Sequence, residues 1–220
     1  MQQILVYSDS LSWGIIPGTR QRFSFDKRWP GVMQHLLREQ GLSARVIENC
    51  LNGRRTVLDD PFKPGRNGLE GLAQAMEINS PVALLVIALG TNDFQMMHNS
   101  NAWSAAQGVA ALVDAVRKAP IEPTMSIPEI LIVAPPVMQE PKGPLLRKFE
   151  GASLKAVGFT EELRQVAEQL ECHFFTMERV TEASRVDGIH LDADQHQLVG
   201  KALAEVVGGM LNDPMELMLS

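Results

Sequence analysis

Cysteine and aromatic side chains are scarce in this chain. Two cysteines, Cys50 and Cys172, among 220 residues are too few for a disulfide scaffold. No Cys/His spacing of a zinc site accompanies them, so neither a metal nor a cofactor is expected, and both are read as reduced, buried thiols. Aromatic residues make up 5%, with a single tyrosine, which argues against a cleft that stacks ligand rings on exposed aromatics. Long apolar runs are missing as well. The longest, Val82 to Leu89, falls far short of the ~20 residues that a membrane-spanning helix needs. The start, Met1-Gln2-Gln3 followed by Ile4 to Tyr7, has neither the positive n-region nor the long apolar stretch of a secretory signal, so a cytoplasmic location is expected. Positive charge is also short. With 20 Lys and Arg against 26 Asp and Glu the net charge is −6, and the broad positive field that nucleic acids require is absent.

What is present suits one globular unit. Of the residues, 45% are hydrophobic, enough for one sizeable core, and a single domain over 1–220 is expected. Short apolar runs at Ile4–Tyr7, Arg45–Glu48, Val82–Leu89, Ile130–Ala134 and His173–Thr176 read as strands buried on both faces. Stretches of helical period alternate with them: Pro30–Gln40, Ala102–Lys118, Thr160–Leu170, and a last helix opened by the Asp192/Gln195 capping spacing. Gly208-Gly209 is a candidate early stop for that last helix. Five βα units with right-handed crossovers give an α/β fold, a three-layer α/β/α sandwich built on a parallel sheet. The Pro- and Gly-rich segment 135–158 reads as an excursion at the active site, and 213–220 as an apolar tail suited to docking, to subunit contact or equally to packing on its own domain.

In such sheets chemistry sits beyond the carboxyl ends of the strands. The first strand runs into Ser8-Asp9-Ser10-Leu11, which places Ser10 at a turn above the sheet. A serine hydroxyl is a weak nucleophile until a base takes its proton, and Asp187-Gly188-Ile189-His190 offers an imidazole with a carboxylate three residues away. Acyl transfer also needs donors for the developing oxyanion; Gly53 after the second strand and Asn92 after the third supply them beside the Ser10 N–H. Taken singly, each has an ordinary explanation as a turn, a cap or an Asx residue. Their arrival in chain order at successive strand ends is what those explanations leave over.

This set resembles the SGNH, or GDSL-type, serine hydrolases: Ser8-Asp9-Ser10-Leu11 is similar to the first block, Gly53 to the second, Gly90-Thr91-Asn92-Asp93 to the third and Asp187-Gly188-Ile189-His190 to the fifth. The resemblance implies a flavodoxin-like sheet in the order 2-1-3-4-5. It also implies Ser10 as nucleophile, His190 as general base and acid, Asp187 as its orienting partner, and an oxyanion hole of Ser10, Gly53 and Asn92. One departure is Ser8, where the family usually has glycine. A narrower likeness, to the bacterial arylesterase and acyltransferase branch, rests on Leu11-Ser12-Trp13-Gly14, Arg22-Phe23, Asp26-Lys27-Arg28-Trp29, Asp59-Asp60-Pro61 and Phe149-Glu150-Gly151. It implies small ester substrates, acyl transfer to alcohols beside hydrolysis, and a homo-oligomer.

Around this set Asp9, Trp13 and Asp93 are expected at the substrate pocket, with Trp13 either the wall that limits the acyl group or a core aromatic, and Met96 and Met97 at its border. Arg54, Arg55, Lys63 and Arg66 form a local basic cluster that either steers an anionic substrate or, the reading preferred here, is a solvated face balanced by Asp59, Asp60 and Glu70, and His196 reads as a helix-surface residue. Sugar deacetylation or thioester cleavage is the alternative within the family. From other classes, a Mg²⁺-dependent phosphatase-like enzyme would use Asp9 with Asp93 but has no Asp-x-Asp pair, and a nucleotide-binding module would need a Gly-x-Gly-x-x-Gly loop that is absent.

Overall fold

Runs of apolar residues that cannot expose either face must pair in the middle of a sandwich. The computed structural model describes residues 1–212 and pairs them so. Strands β1 (Gln2–Ser8), β2 (Ala44–Cys50), β3 (Leu84–Ala88), β4 (Glu129–Ala134) and β5 (His173–Thr176) form one all-parallel sheet in the order β2-β1-β3-β4-β5. Helices α1 (Ser10–Trp13), α2 (Trp29–Glu39), α3 (Leu72–Asn79), α4 (Ala102–Arg117), α5 (Leu145–Lys148), α6 (Ala152–Lys155), α7 (Phe159–Gln169) and α8 (Ala193–Asn212) follow or connect the strands. None is long and apolar enough among the described residues to cross a membrane. The expected tail 213–220 lies outside those residues.

The period of two along each strand divides the core in halves. Leu5, Tyr7, Leu85, Ile87, Ile130 and Ile132 point to one face and pack against α3, α4 and α7. Their neighbours Ile4, Val6, Leu84, Val86, Leu131 and Val133 point to the other, against Trp29, Met33 and Leu37 of α2 and Val199, Leu203 and Val207 of α8. Burying both sets is the main stabilising term, at about 25 cal/mol per Å² of apolar surface. Met33, Met76 and Met210 lie in these cores as expected.

Three local expectations are corrected. Helix α8 runs through Gly208-Gly209 to Asn212, because the glycine there is a contact and not a stop. A Cβ at Gly208 would sit 2.7 Å from Gln40 Oε1, and one at Gly200 would sit 2.6 Å from Val32 Cβ, so both let α8 lie close on α2. Helix α3, only 8 residues long, is absent from the sequence reading; it has no side-chain cap to announce it. Cys50, the last residue of edge strand β2, and Cys172, just before the opposite edge strand β5, are unpaired thiols, but half-buried, not buried.

Candidate active site

Strand β1 ends at Ser8, and its chain turns directly into α1. Asp9 caps that helix, its Oδ1 accepting from Leu11 N–H at 2.9 Å, and Ser10 is thereby set in the first turn above the sheet. Where glycine was expected, Ser8 is fully buried. Its hydroxyl donates to the Ala88 carbonyl (2.7 Å) and meets Ser12 Oγ (2.6 Å), which accepts from Trp29 Nε1 at 3.1 Å. The serine thus ties β1, α1, α2 and β3 together without displacing Ser10.

From the opposite end of the chain, the turn before α8 brings in the imidazole. His190 Nε2 lies 3.1 Å from Ser10 Oγ and His190 Nδ1 2.7 Å from Asp187 Oδ2. The turn is tight because Asp187 Oδ1 accepts from the N–H groups of Ile189 (3.0 Å) and His190 (2.9 Å), with Gly18 N–H on Oδ2 at 3.2 Å. Gly188 makes the bend possible. Its φ is +84°, and a Cβ there would meet the Glu140 carbonyl oxygen at 2.4 Å. Burial alone would raise the Asp187 carboxyl, but the hydrogen bond and charge of His190, together with the two backbone donors, outweigh it and hold it at about 2. A carboxylate only accepts, so Nδ1 carries the proton and Nε2 presents its lone pair to the Ser10 hydroxyl.

The amide of Asn92, on the 3-10 turn Thr91–Phe94 after β3, is held at both ends. Its Nδ2 donates to Asp9 Oδ2 at 2.8 Å, and its Oδ1 accepts from Gln95 Nε2 at 2.7 Å. That fixes the amide orientation and leaves one N–H free. The support continues outward: Gln95 Oε1 accepts from Arg55 Nη2 at 2.5 Å, and Arg55 Nη1 pairs with Asp60 Oδ2 at 3.0 Å. Gln95 was not singled out in the sequence, although it stands three residues after Asn92, and Arg55 was read as part of a basic face and not as a support of the site.

A cavity of about 410 Å³ opens over these groups, with Ser10, Asn52, Gly53, Asn92, Asp187 and His190 in its lining. The loop after α1 contributes Ile15 and Gly18 to Arg20. Asp60 and Lys63 come from the loop after β2, and Lys142 to Leu145, Lys148 and Phe149 from the 135–158 excursion. The residues expected to wall the pocket are elsewhere. Trp13 turns outward beneath the Arg22 guanidinium, 4.6 Å from its ring centroid, and is not in the lining. Asp9 and Asp93 are fully buried beneath the site. Asp9 is occupied by Leu11 and Asn92, and Asp93 accepts from Thr56 N–H (3.0 Å) and Thr56 Oγ1. Burial pushes Asp9 up to about 6 and Asp93 up to about 7, and both oxygens of each are used by protein donors, which leaves no pair for the Mg²⁺ alternative. Met96 and Met97 are exposed and outside the lining.

The supposed solvated basic face is also different. Arg54 and Arg55 are buried, Arg54 donating to the Ser8 and Asn49 carbonyls with its guanidinium 3.9 Å from the Tyr7 ring centroid. His196 is buried as well, not on the helix surface; Nδ1 accepts from Trp29 N–H at 3.2 Å and the ring meets Phe23 edge-on. Burial, with the charges of Arg28 and His190, lowers it to about 4. A larger groove, about 910 Å³, lies between α2 and α8 and contains none of the strand-end residues.

With this geometry in place, likeness to known proteins is informative. Residues 9–198 match the model of the GDSL-like lipase/acylhydrolase family. The chain is similar to the inhibitor-bound aryl esterase of M. smegmatis, at 31% identity and a TM-score of 0.90, over 95% of this chain and 99% of that one. It is similar also to a carbohydrate acetylesterase family member from Sinorhizobium meliloti, at 35% identity and a TM-score of 0.90, over 97% of this chain and all (100%) of the other. No curated protein matches it.

Proposed function

The chain belongs to the GDSL-like lipase/acylhydrolase family and is a carboxylic ester hydrolase, and from that premise we propose that it cleaves small esters through an acyl-enzyme on Ser10. As Ser10 Oγ attacks the ester carbonyl, His190 Nε2 takes its proton, and Asp187 stabilises the imidazolium that results. The oxyanion of the tetrahedral intermediate is received by the Ser10 and Gly53 N–H groups and by the free N–H of Asn92, donors worth roughly 2.7–4 kcal/mol each. His190 then returns the proton to the departing alkoxide oxygen. Water, deprotonated by the same imidazole, attacks the acyl-enzyme and releases the carboxylic acid and Ser10.

The observation that carries this reading is the unbroken line from Asp187 Oδ2 through His190 to Ser10 Oγ, at 2.7 and 3.1 Å, beside an amide whose orientation is fixed from both ends. Small substrates are supported by the cavity of about 410 Å³, near the lower end of ligand sites. Sugar esters are less well served, because the lining holds one carbocyclic aromatic, Phe149, itself buried. An apolar, narrow pocket walled by Trp13 would favour alcohols over water, and this lining instead carries charge. Hydrolysis is therefore the main outcome, with transfer to alcohols a secondary one measured by product ratio in added ethanol.

The test is covalent labelling with a small activated phosphonate, mapped by peptide mass spectrometry, with Ser10→Ala and chelator-treated protein alongside. Labelling at Ser10, abolished by Ser10→Ala and indifferent to chelator, is the expected result. Folded protein that resists labelling while hydrolysing an ester would overturn the mechanism.

A further inference from the structure

The chain is acidic overall, yet its ester cavity is not. Four cations line it, Arg20, Lys63, Lys142 and Lys148, against two carboxylates, Asp60 and Asp187. Both carboxylates are already engaged, Asp60 with Arg55 at 3.0 Å and Asp187 with His190 at 2.7 Å. Among the described residues none of the four cations pairs with a carboxylate; Lys142 Nζ donates to the Arg185 carbonyl, at 2.7 Å.

The four come from three separate pieces of chain. Arg20 follows α1, Lys63 lies between β2 and α3, and Lys142 and Lys148 belong to the excursion before α6. Solvated lysines on one loop are commonplace. Convergence of three segments on one concavity, with the nearby acids consumed, is a field focused where a substrate must enter. Lys63 and Lys148 are both held below the usual lysine range, first by partial loss of water and then by other cations. For Lys63 these are Arg66 and Arg20; for Lys148 they are Arg55, Lys63 and Arg20, and in both cases Asp60 opposes them. The cations repel one another, and Asp60, the carboxylate that partly offsets them, is already paired with Arg55, so a bound anion would supply the charge still wanting.

We propose that the ester taken by this site carries a carboxylate, held at the cavity rim by Lys63 and Lys148 with Arg20 and Lys142 beside them. This rests on the Ser10 reading above and adds the substrate's charge to it. The carboxylate does not react; it is attracted during encounter and held in the bound state, so its effect belongs in KM and in kcat/KM.

Two ester pairs differing in charge test it. In one, 3-acetoxyphenylacetate is compared with its methyl ester, placing the charge on the alcohol side. In the other, mono(4-nitrophenyl) adipate is compared with 4-nitrophenyl methyl adipate, placing it on the acyl side. In at least one pair the anionic ester should have about tenfold higher kcat/KM at about 20 mM salt, the ratio falling severalfold by about 500 mM as screening shortens the field. The double variant Lys63→Gln/Lys148→Gln should lower the anionic-to-neutral ratio about tenfold, chiefly through KM, with Ser10 labelling by the phosphonate reporting its fold. Ratios at or below one in both pairs, or a ratio unmoved by salt and by the double variant, would overturn the proposal while leaving the Ser10 mechanism intact. Turnover of all four esters by Ser10→Ala would instead remove the mechanism on which it rests.

Discussion

Replacing Asn92 by alanine separates the structural role of one amide from the oxyanion role proposed for it. Its Oδ1 and one N–H are spent on Gln95 and Asp9, and its remaining N–H is the one that the proposed mechanism offers to the reacting carbonyl oxygen. Loss of that donor should lower kcat about 10²–10³-fold, because it matters most when the oxygen is fully charged; KM should change little. The same truncation strips partners from Gln95 Nε2 and Asp9 Oδ2, both in buried residues, which costs about 1–3 kcal/mol for each group that water fails to reach. The melting temperature should therefore fall as well. Gln95→Ala provides the contrast: Asn92 keeps its donor but loses one anchor, and a smaller fall in kcat, about tenfold, is expected. The assay is steady-state hydrolysis of phenyl acetate, with calorimetric melting on the same preparations. If Asn92→Ala melts cooperatively and retains kcat within about threefold of the parent, the amide does not face the developing charge and the oxyanion assignment is wrong.

Asp187→Asn should leave the fold intact and lower kcat about 10⁴-fold, since an amide no longer enforces the Nδ1–H tautomer of His190; initial rates on phenyl acetate decide it. Gly188→Ala forces a side chain into a position with φ of +84° and 2.4 Å from a carbonyl oxygen, so a melting temperature lower by several degrees and a reduced kcat are expected. For His196 the sign follows from its depressed folded value of about 4, against 6.5 in the free side chain: the neutral ring is native, and its contribution is lost as pH falls from 6.5 through 4. His196→Asn keeps an acceptor for Trp29 N–H but cannot charge. The stability gap between parent and variant in urea should shrink by about 2 kcal/mol between about pH 8 and about pH 5; a gap of constant size refutes the assignment.

The centre of the sheet was legible because β1, β3 and β4 are buried on both faces, which writes them into the sequence as near-continuous runs of branched residues. Ser10, His190, Gly53 and Asn92 were legible for a related reason: the sheet's topology collects residues that follow strands at one end. Direction was what the sequence withheld. Asp9 stands beside Ser10 yet points inward, because it is the cap of α1. Trp13 stands three residues after Ser10 yet lies under Arg22, a contact fixed by a loop whose path carries no periodic signal. His196 follows the polar start of α8 and resembles a surface residue; only the close approach of α2 buries it. The Gln95–Arg55–Asp60 support and the cationic rim depend on the packing of separate loops, and no local pattern encodes either.

The excursion is fastened to the loop that carries the base. Gln139 N–H donates to the Gly188 carbonyl at 2.9 Å and Lys142 N–H to the Asp187 carbonyl at 3.0 Å, so two backbone hydrogen bonds from the wall end on the turn that leads into His190. Substrate range and proton transfer are in this way mechanically joined at Gln139 to Lys142, while the far end is tied elsewhere, the Lys148 carbonyl accepting from Met96 N–H at 2.8 Å. An engineer who transplants the whole segment would disturb the imidazole along with the pocket. One who keeps Gln139 to Lys142 as a fixed hem, and varies only Gly143 to Lys148, has a replaceable panel through which specificity can be rewritten without retuning the base.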